Sequence, residues 1–472
     1  MEKPIREISG IEREKWIHRN RYYYEYLVLY LKYYIPEGSS ILLIGSGTGY
    51  LLEKLNPQRG VGIVNSPSQY EYAQIHRPKY QYHLSEFEDF EVEGVFDFVV
   101  ICDHVGSFFD VQKVFHQMRR NCTDETRILI TTLNFLWYPL LRLAEKTGLK
   151  MPQRKQNWLD RNDLSNLLML EGFEVVAQRR NMLLPIHIPL ISNFVNAFVA
   201  PLPLINQLGL VTFMMARKLP EKPQEKSVSV IIPARNERGN IEQLVLRTPE
   251  MGRGTEIIFV EGNSTDDTWA EVQCVGTRYQ SIRNIKWIKQ PGKGKGDAVR
   301  TGFDLASGDI LMILDADMTV PPEDLPKFYE AIASGRGEFI NGTRLVYPME
   351  NEAMRTLNLI GNKFFSLAFT LILNQPLKDT LCGTKVISRE NYEKLIKNRS
   401  YFGEFDPFGD FDLLFGASKL LLKIVEVPIR YRARTYGSTN ISRFRHGWIL
   451  LKMTAFALSK IHFIRFRSNQ AG

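Results

Sequence analysis

Two aspartates one residue apart, Asp315 and Asp317, close the apolar run "ILMIL", and a double proline follows at Pro321 and Pro322. Carboxylates at that spacing either rim a metal and phosphate site or simply end a strand. Three other stretches bear on the choice. "SVSVIIPARNE" runs into Pro233, Arg235, Asn236 and Glu237, and "TEIIFVEGNSTDDT" runs into Glu261, Asn263, Ser264 and Asp266. "QPGKGKGDAVRTGF" alternates Lys293 and Lys295 with glycines where a helix begins. Singly, Asn236 or Ser264 reads as a helix cap and the lysine loop as a solvated turn. Together they supply acceptors for a base and ribose, cations for phosphates and paired carboxylates for a divalent metal, which a nucleotide-diphosphate donor requires.

Further cations lie downstream: Arg344, Arg355, Lys385, and the alternating Arg430, Arg432 and Arg434 in "IRYRAR", whose spacing predicts one face of a strand. Arginine suits phosphate because its planar donor fork meets two oxygens at once, and an exposed surface arginine is the plain alternative. Asp379 and Gly383 precede Lys385, while Asp410 and Asp412 open an amphipathic helix.

A second constellation sits near the N-terminus. "LLIGSGTG" places Gly45, Gly47 and Gly49 where a strand turns into a helix, so backbone can approach a ligand closely or merely turn tightly. Asp103 and His104 end the later run "FDFVVICDH".

These residues need scaffolds. "SILLIGSGTG", "GVGIV", "FDFVVIC" and "TRILITT" are short β-rich runs between helical patterns, and the rhythm returns after a charged, proline-bearing seam at residues 216–228. Alternating strands and helices predict two α/β, doubly wound domains whose ligands gather at the carboxyl ends of the strands. A chain of 472 residues also exceeds what one core usually supports. The expected division is residues 1–218, a linker at 219–227, a second domain at 228–443 and a terminal amphipathic segment at 444–472.

A formal charge of +8 suits nucleic acid, an anionic membrane surface or a phosphate-rich substrate. No nucleic-acid motif accompanies it, so no nucleic-acid partner is expected. Four cysteines without metal-ligand spacing suggest reduced thiols in a cytosolic setting. The charged N-terminus does not read as a secretory signal. Residues 181–216 hold no Asp, Glu, Lys or Arg, but prolines at 185, 189, 201 and 203 cut them too short to span a bilayer, leaving buried core or an interfacial segment. Near the C-terminus, Arg445, Lys452, Lys460 and Arg467 form one stripe on an otherwise apolar helical pattern, the mark of a helix lying in a membrane interface. "GNKFFSLAFTLILNQP" is a second such candidate, with packing against the protein's own core as the alternative.

Residues from about 20 to 218, with "LLIGSGTG", "GVGIVNSPSQYEYAQ" and "FDFVVICDHVGSFFDVQ", resemble the class I S-adenosylmethionine-dependent methyltransferases. The resemblance implies a Rossmann-like fold, S-adenosylmethionine as cofactor, and Gly45, Gly47 and Gly49 against it. The acid with which that family binds the ribose is replaced by Val64, with Asn65 beside it as a neutral acceptor. Residues from about 227 to 460 resemble the family 2 glycosyltransferases, in particular the dolichyl-phosphate mannose synthase branch. That implies a GT-A fold, Mg²⁺ or Mn²⁺ on Asp315 and Asp317 together with the donor diphosphate, Glu237 and Glu261 at the nucleoside, and inverting displacement aided by Lys295. Pro233, Arg235, Ser264 and Lys293 complete the expected donor site. Arg344, Arg355 and Arg432 are expected at a lipid-phosphate acceptor.

The implied function is transfer of a sugar from a nucleotide-sugar donor to a polyprenyl phosphate, by a protein peripheral to the cytoplasmic face of a membrane. A phosphate acceptor is already ionised, whereas a hydroxyl acceptor needs a base, for which Asp412 is the expected residue. A hydroxyl acceptor with a catalytically silent N-terminal binding module is the alternative.

Overall fold

The computed structural model describes residues 8–152, 159–202, 204–220, 225–344, 356–397, 410–432, 434, 436 and 451–454. They form two compact units, one ending at Leu219 and one beginning at Pro220.

The first unit is a seven-stranded sheet in the order β3-β2-β1-β4-β5-β7-β6. Its strands are β1 (Ser40–Ile44), β2 (Arg59–Val64), β3 (Gln81–Leu84), β4 (Phe98–Cys102), β5 (Arg127–Leu133), β6 (Phe173–Asn181) and β7 (Val211–Lys218). The first five run parallel, while β7 lies antiparallel between β5 and β6. Leu42, Ile44, Val61, Ile63, Val99 and Ile101 join one core cluster, as expected for central strands covered by helices. Helix Gly10–Arg19 starts on a capping box: the Ser9 hydroxyl accepts from the Glu12 amide and the Glu12 carboxylate from the Ser9 amide.

The second unit is again seven-stranded, in the order β10-β9-β8-β11-β13-β12-β14. Its strands are β8 (Val228–Ala234), β9 (Thr255–Glu261), β10 (Asn284–Lys289), β11 (Ile310–Ile313), β12 (Phe339–Thr343), β13 (Lys385–Ser388) and β14 (Ile424–Pro428). β8 through β11 are parallel, and β13 runs antiparallel between β11 and β12. Chain order reverses at β8, between β9 and β11, so a crevice opens at the strand ends that carry Glu237 and Asp315. Both units are thus α/β and doubly wound.

One expected strand is absent. β14 ends at Pro428, where its partner β12 ends at Thr343, so Arg430 and Arg432 lie beyond the ladder and share no strand face. Helix Thr356–Leu373 buries Phe365, Phe369 and Ile372 while Phe364 and Leu367 stay exposed, so one side packs on the protein's own core. No described helix is long and apolar enough to cross a membrane. The C-terminal stripe and Arg355 lie outside the described residues, apart from residues 451–454.

Candidate functional site

The ends of β8 and β11 and the segment after β14 meet in one cluster of charges. The Lys295 ammonium, at the start of helix Lys295–Leu305, sits 2.6 Å from Asp315 Oδ1. Burial works to raise the Asp315 carboxyl, but Lys295, with Lys385 and Arg344 beyond it, holds it below the ordinary carboxylate range. Gly383 makes that pair possible: a Cβ there would stand 2.0 Å from Asp315 Oδ2 and 2.5 Å from Lys295 Nζ. No larger residue fits without moving the pair.

Asp317 is held at both oxygens. Oδ1 accepts from the Thr319 amide at 3.1 Å and its hydroxyl at 2.8 Å, while Oδ2 accepts from Arg434 Nη2 at 2.7 Å. Arg434 Nη1 reaches Glu237 Oε1 at 3.1 Å, so one guanidinium bridges two strand ends. Glu237 is buried, its Oε2 accepting from Asn240 at 2.8 Å. Burial pushes Glu237 up to about 7; Arg434 and Asn240 oppose the shift, and Asp317 and Asp266 add to it. Beyond Arg434, Tyr436 packs on Gly239. The segment after β14 therefore folds back over the end of β8.

The neighbouring strand ends are tied by turn chemistry. Glu261 Oε1 accepts from the Ser264 amide at 2.5 Å, and the Ser264 hydroxyl accepts from the Asn236 amide at 3.0 Å. Gln290, just past β10, is buried; its Nε2 donates to the Gly292 carbonyl at 2.9 Å, while its Oε1 lies 3.3 Å from where a side chain at Gly262 would begin. Arg235 lies beside Gly262 with its side chain exposed, and Lys293 is exposed on its loop. Pro233 pairs in register with Val260 of β9.

The other expected residues are placed differently. Arg344 Nε and Nη2 both donate to Asp379, at 2.7 and 2.8 Å, and its guanidinium lies 5.1 Å from the Tyr431 ring. Asp379 is fully buried, and the pair raises the Arg344 pKa although burial alone would lower it. Arg432 is exposed, its amide bonded to the Thr319 carbonyl at 3.0 Å. Asp412 is buried near the start of helix Asp410–Lys419. Lys385 is buried too, its ammonium 2.5 Å from the Cys382 carbonyl.

In the first unit, Gly45, Gly47 and Gly49 have φ of 83°, 55° and 81°, the left-handed region that the turn requires. His104 lies against Gly45 and Arg13 against Gly47. Helix Gly10–Arg19 is fastened to this turn through Glu14, which accepts from the Thr48 hydroxyl at 2.5 Å and from Arg77 at 3.0 Å. Asp103, at φ 55°, accepts from the Tyr23 hydroxyl at 2.5 Å and the Thr131 hydroxyl at 2.8 Å. Burial raises Asp103 against those two bonds, and burial with Arg13 lowers His104 to about 3, so the imidazole stays neutral. Val64 is buried at the end of β2 and Asn65 is exposed. Arg13, Tyr23 and Gln290 had no motif to mark them; only the fold brings them to these sites.

Two classes are defined by this pair of sheets and sites. Residues 16–178 match the methyltransferase domain family and residues 229–396 match glycosyl transferase family 2, so the chain joins a methyltransferase domain to a family 2 glycosyltransferase domain. Among similar proteins, a dolichol-phosphate mannosyltransferase from Pyrococcus furiosus is 32% identical over 240 residues, 48% of this chain and 64% of that protein. An undecaprenyl-phosphate 4-deoxy-4-formamido-L-arabinose transferase from Klebsiella pneumoniae is 24% identical over 229 residues, 47% of this chain and 65% of that protein. The chain thus spans less than two thirds of either relative. A SAM-dependent methyltransferase structure from Thermotoga maritima is 17% identical, covering 44% of this chain and 95% of its own, with a TM-score of 0.36.

Proposed function

We propose that the second unit transfers a sugar from a nucleotide-sugar donor to a polyprenyl phosphate, with inversion at the anomeric carbon, at a membrane surface. The observation that carries this reading is the charge cluster at the chain reversal: Lys295 on Asp315, and Arg434 spanning Asp317 and Glu237. The sugar transferases on lipid phosphates named above share this half of the chain.

Asp315 and Asp317 fit a divalent cation. They are hard oxygen donors on one loop, and one or two carboxylates are the protein's usual share of Mg²⁺, substrate phosphates and water supplying the rest. Among the described residues no group of three or more His, Cys, Asp or Glu converges on a metal site. When bound, Mg²⁺ or Mn²⁺ would neutralise charge developing on the departing diphosphate. Lys295 and Lys293 stand at the same helix start and hold the diphosphate oxygens. The nucleoside lies over the ends of β8, β9 and β10, against Pro233, Arg235, Glu237, Glu261 and Ser264, with Gln290 at the base.

The acceptor phosphate is an anion at neutral pH and attacks without prior loss of a proton. Arg432 and Arg434 follow β14 together and supply cations on its path; Arg344, held on Asp379, orders the wall behind. Asp412 serves as a base only if the acceptor is a hydroxyl. In the first unit, the glycine turn with Arg13 and Asn65 binds S-adenosylmethionine weakly, because Val64 offers the ribose no acceptor.

The test is to incubate the protein with membranes, Mg²⁺ or Mn²⁺ and labelled nucleotide sugars. Label entering an organic-soluble, mild-acid-labile product is expected. Label found only in water-soluble or acid-stable products would overturn the phosphate acceptor.

A further inference from the structure

The first unit carries an apolar surface that its own core does not use. Helix Tyr138–Lys146 buries none of its residues, and Leu140 and Leu143 are exposed along it, preceded by exposed Phe135 and Leu136. A second stretch, 186–208, exposes Ile191, Phe194 and Phe198, and projects Leu190 and Leu204 at 87% and 85% exposure. The two stretches are joined. Trp137 Nε1 donates to the Leu208 carbonyl at 2.7 Å, and Asn134 Nδ2 donates to the carbonyls of Gln207 and Gly209 at 3.0 and 2.9 Å. These bonds tie the start of the first stretch to the end of the second and bring more large exposed side chains to one region than scattered surface leucines explain.

Cations outnumber acids around it, with Asp160 near Arg180 and Glu145 on the helix as the acids among them. Residues 181–216 contain no Asp, Glu, Lys or Arg. At the rim, the guanidiniums of Arg161 and Arg180 both reach Gln207, at 3.4 and 3.2 Å. Arg142 and Lys146 are exposed on the helix, whose one acid, Glu145, is paired with Arg142 and Lys150. Exposed Leu, Phe and Ile, with Trp137 where the two stretches meet and an excess of cations around them, match the layers of an anionic bilayer: acyl chains, interface and headgroups.

From this complementarity we infer that the methyltransferase-fold unit docks on anionic membranes through residues 135–149 and 186–208. The inference is independent of the sugar-transfer reading and of the terminal segment at 444–472, to which sequence alone assigns membrane binding.

The test uses the full chain with vesicles of phosphatidylcholine, with and without phosphatidylglycerol. Leu190→Asp with Leu204→Asp removes apolar surface at two of the most exposed leucines. Phe135→Asp with Leu136→Asp tests the 135–149 stretch independently, and circular dichroism checks that both variants fold. Wild type should sediment with the anionic vesicles, and each variant should bind them at least about tenfold more weakly. Brominated lipid should quench a fluorescence component that disappears in Trp137→Phe. Unchanged vesicle binding by both folded variants would overturn the inference. So would a wild-type dimer that both variants dissolve while vesicle binding stays intact, which would make the patch an interface between copies of this chain.

Discussion

At the scale of single residues, the proposed donor site rests on charges that hold one another in place. Asp317→Asn keeps the shape and the Thr319 bonds but removes the charge, so sugar transfer should be lost with the melting temperature nearly unchanged; transfer at the wild-type rate by the folded variant would remove Asp317 from the reaction. Gly383→Ala is a sharper probe, because the added Cβ falls on the Lys295–Asp315 pair. Turnover should drop on the order of a hundredfold, the scale of a misplaced reacting group. Glu237 predicts a pH dependence. Its folded pKa of about 7 stands above the ordinary 4.5, so between those values the folded state holds a proton that the unfolded state has lost, and stability falls as pH rises through that window. Only the ionised carboxylate accepts freely from ribose hydroxyls, so nucleotide affinity should strengthen from about pH 6 to about pH 8, and Glu237→Gln should flatten that profile in calorimetric titrations. The placement of Asp315, Asp317, Glu237 and Lys295 at strand ends or a helix start was legible in the sequence, because each carries a local signature. Their mutual pairing was not, since Arg434 is separated from Glu237 by nearly the whole unit.

At the scale of elements, the strands that read clearly were β1, β2, β4 and β5, then β8, β9, β10 and β11; all but β10, which is half-exposed, are buried near-continuous apolar runs. The segment "IRYRAR" misled because alternation marks a strand only where a partner continues, and β12 stops at Thr343. Within residues 181–216, Val211 to Ala216 are core in β7, one of the two readings open to them, while 186–208 expose leucines and phenylalanines. The end of β2 yields a test of the cofactor site. A charge-assisted hydrogen bond is worth about 1.5–3 kcal/mol, so Val64→Asp should tighten S-adenosylmethionine binding roughly ten- to a hundredfold. Val64 is buried, and a melting curve must accompany the titration; Asn65→Asp, at an exposed position, is the companion. No binding by wild type or by either variant would make the first unit a silent module.

At the scale of the whole molecule, two sheets with separate cores imply two unfolding transitions. S-adenosylmethionine should raise one of them and a nucleoside diphosphate with Mn²⁺ the other, since a ligand stabilises the unit that binds it. A single calorimetric transition moved by both ligands would contradict that independence. The bridge made by Arg434 carries a further consequence. With Lys295 on Asp315 and Arg434 on Asp317 and Glu237, the resting site supplies its own counterions from within the chain. On the proposed reading, Asp315, Asp317 and Glu237 would give up these partners to a bound cation and donor, and the freed ammonium and guanidinium would be available to phosphate. Chelation should accordingly abolish turnover while leaving the thermal stability of the ligand-free protein where it was.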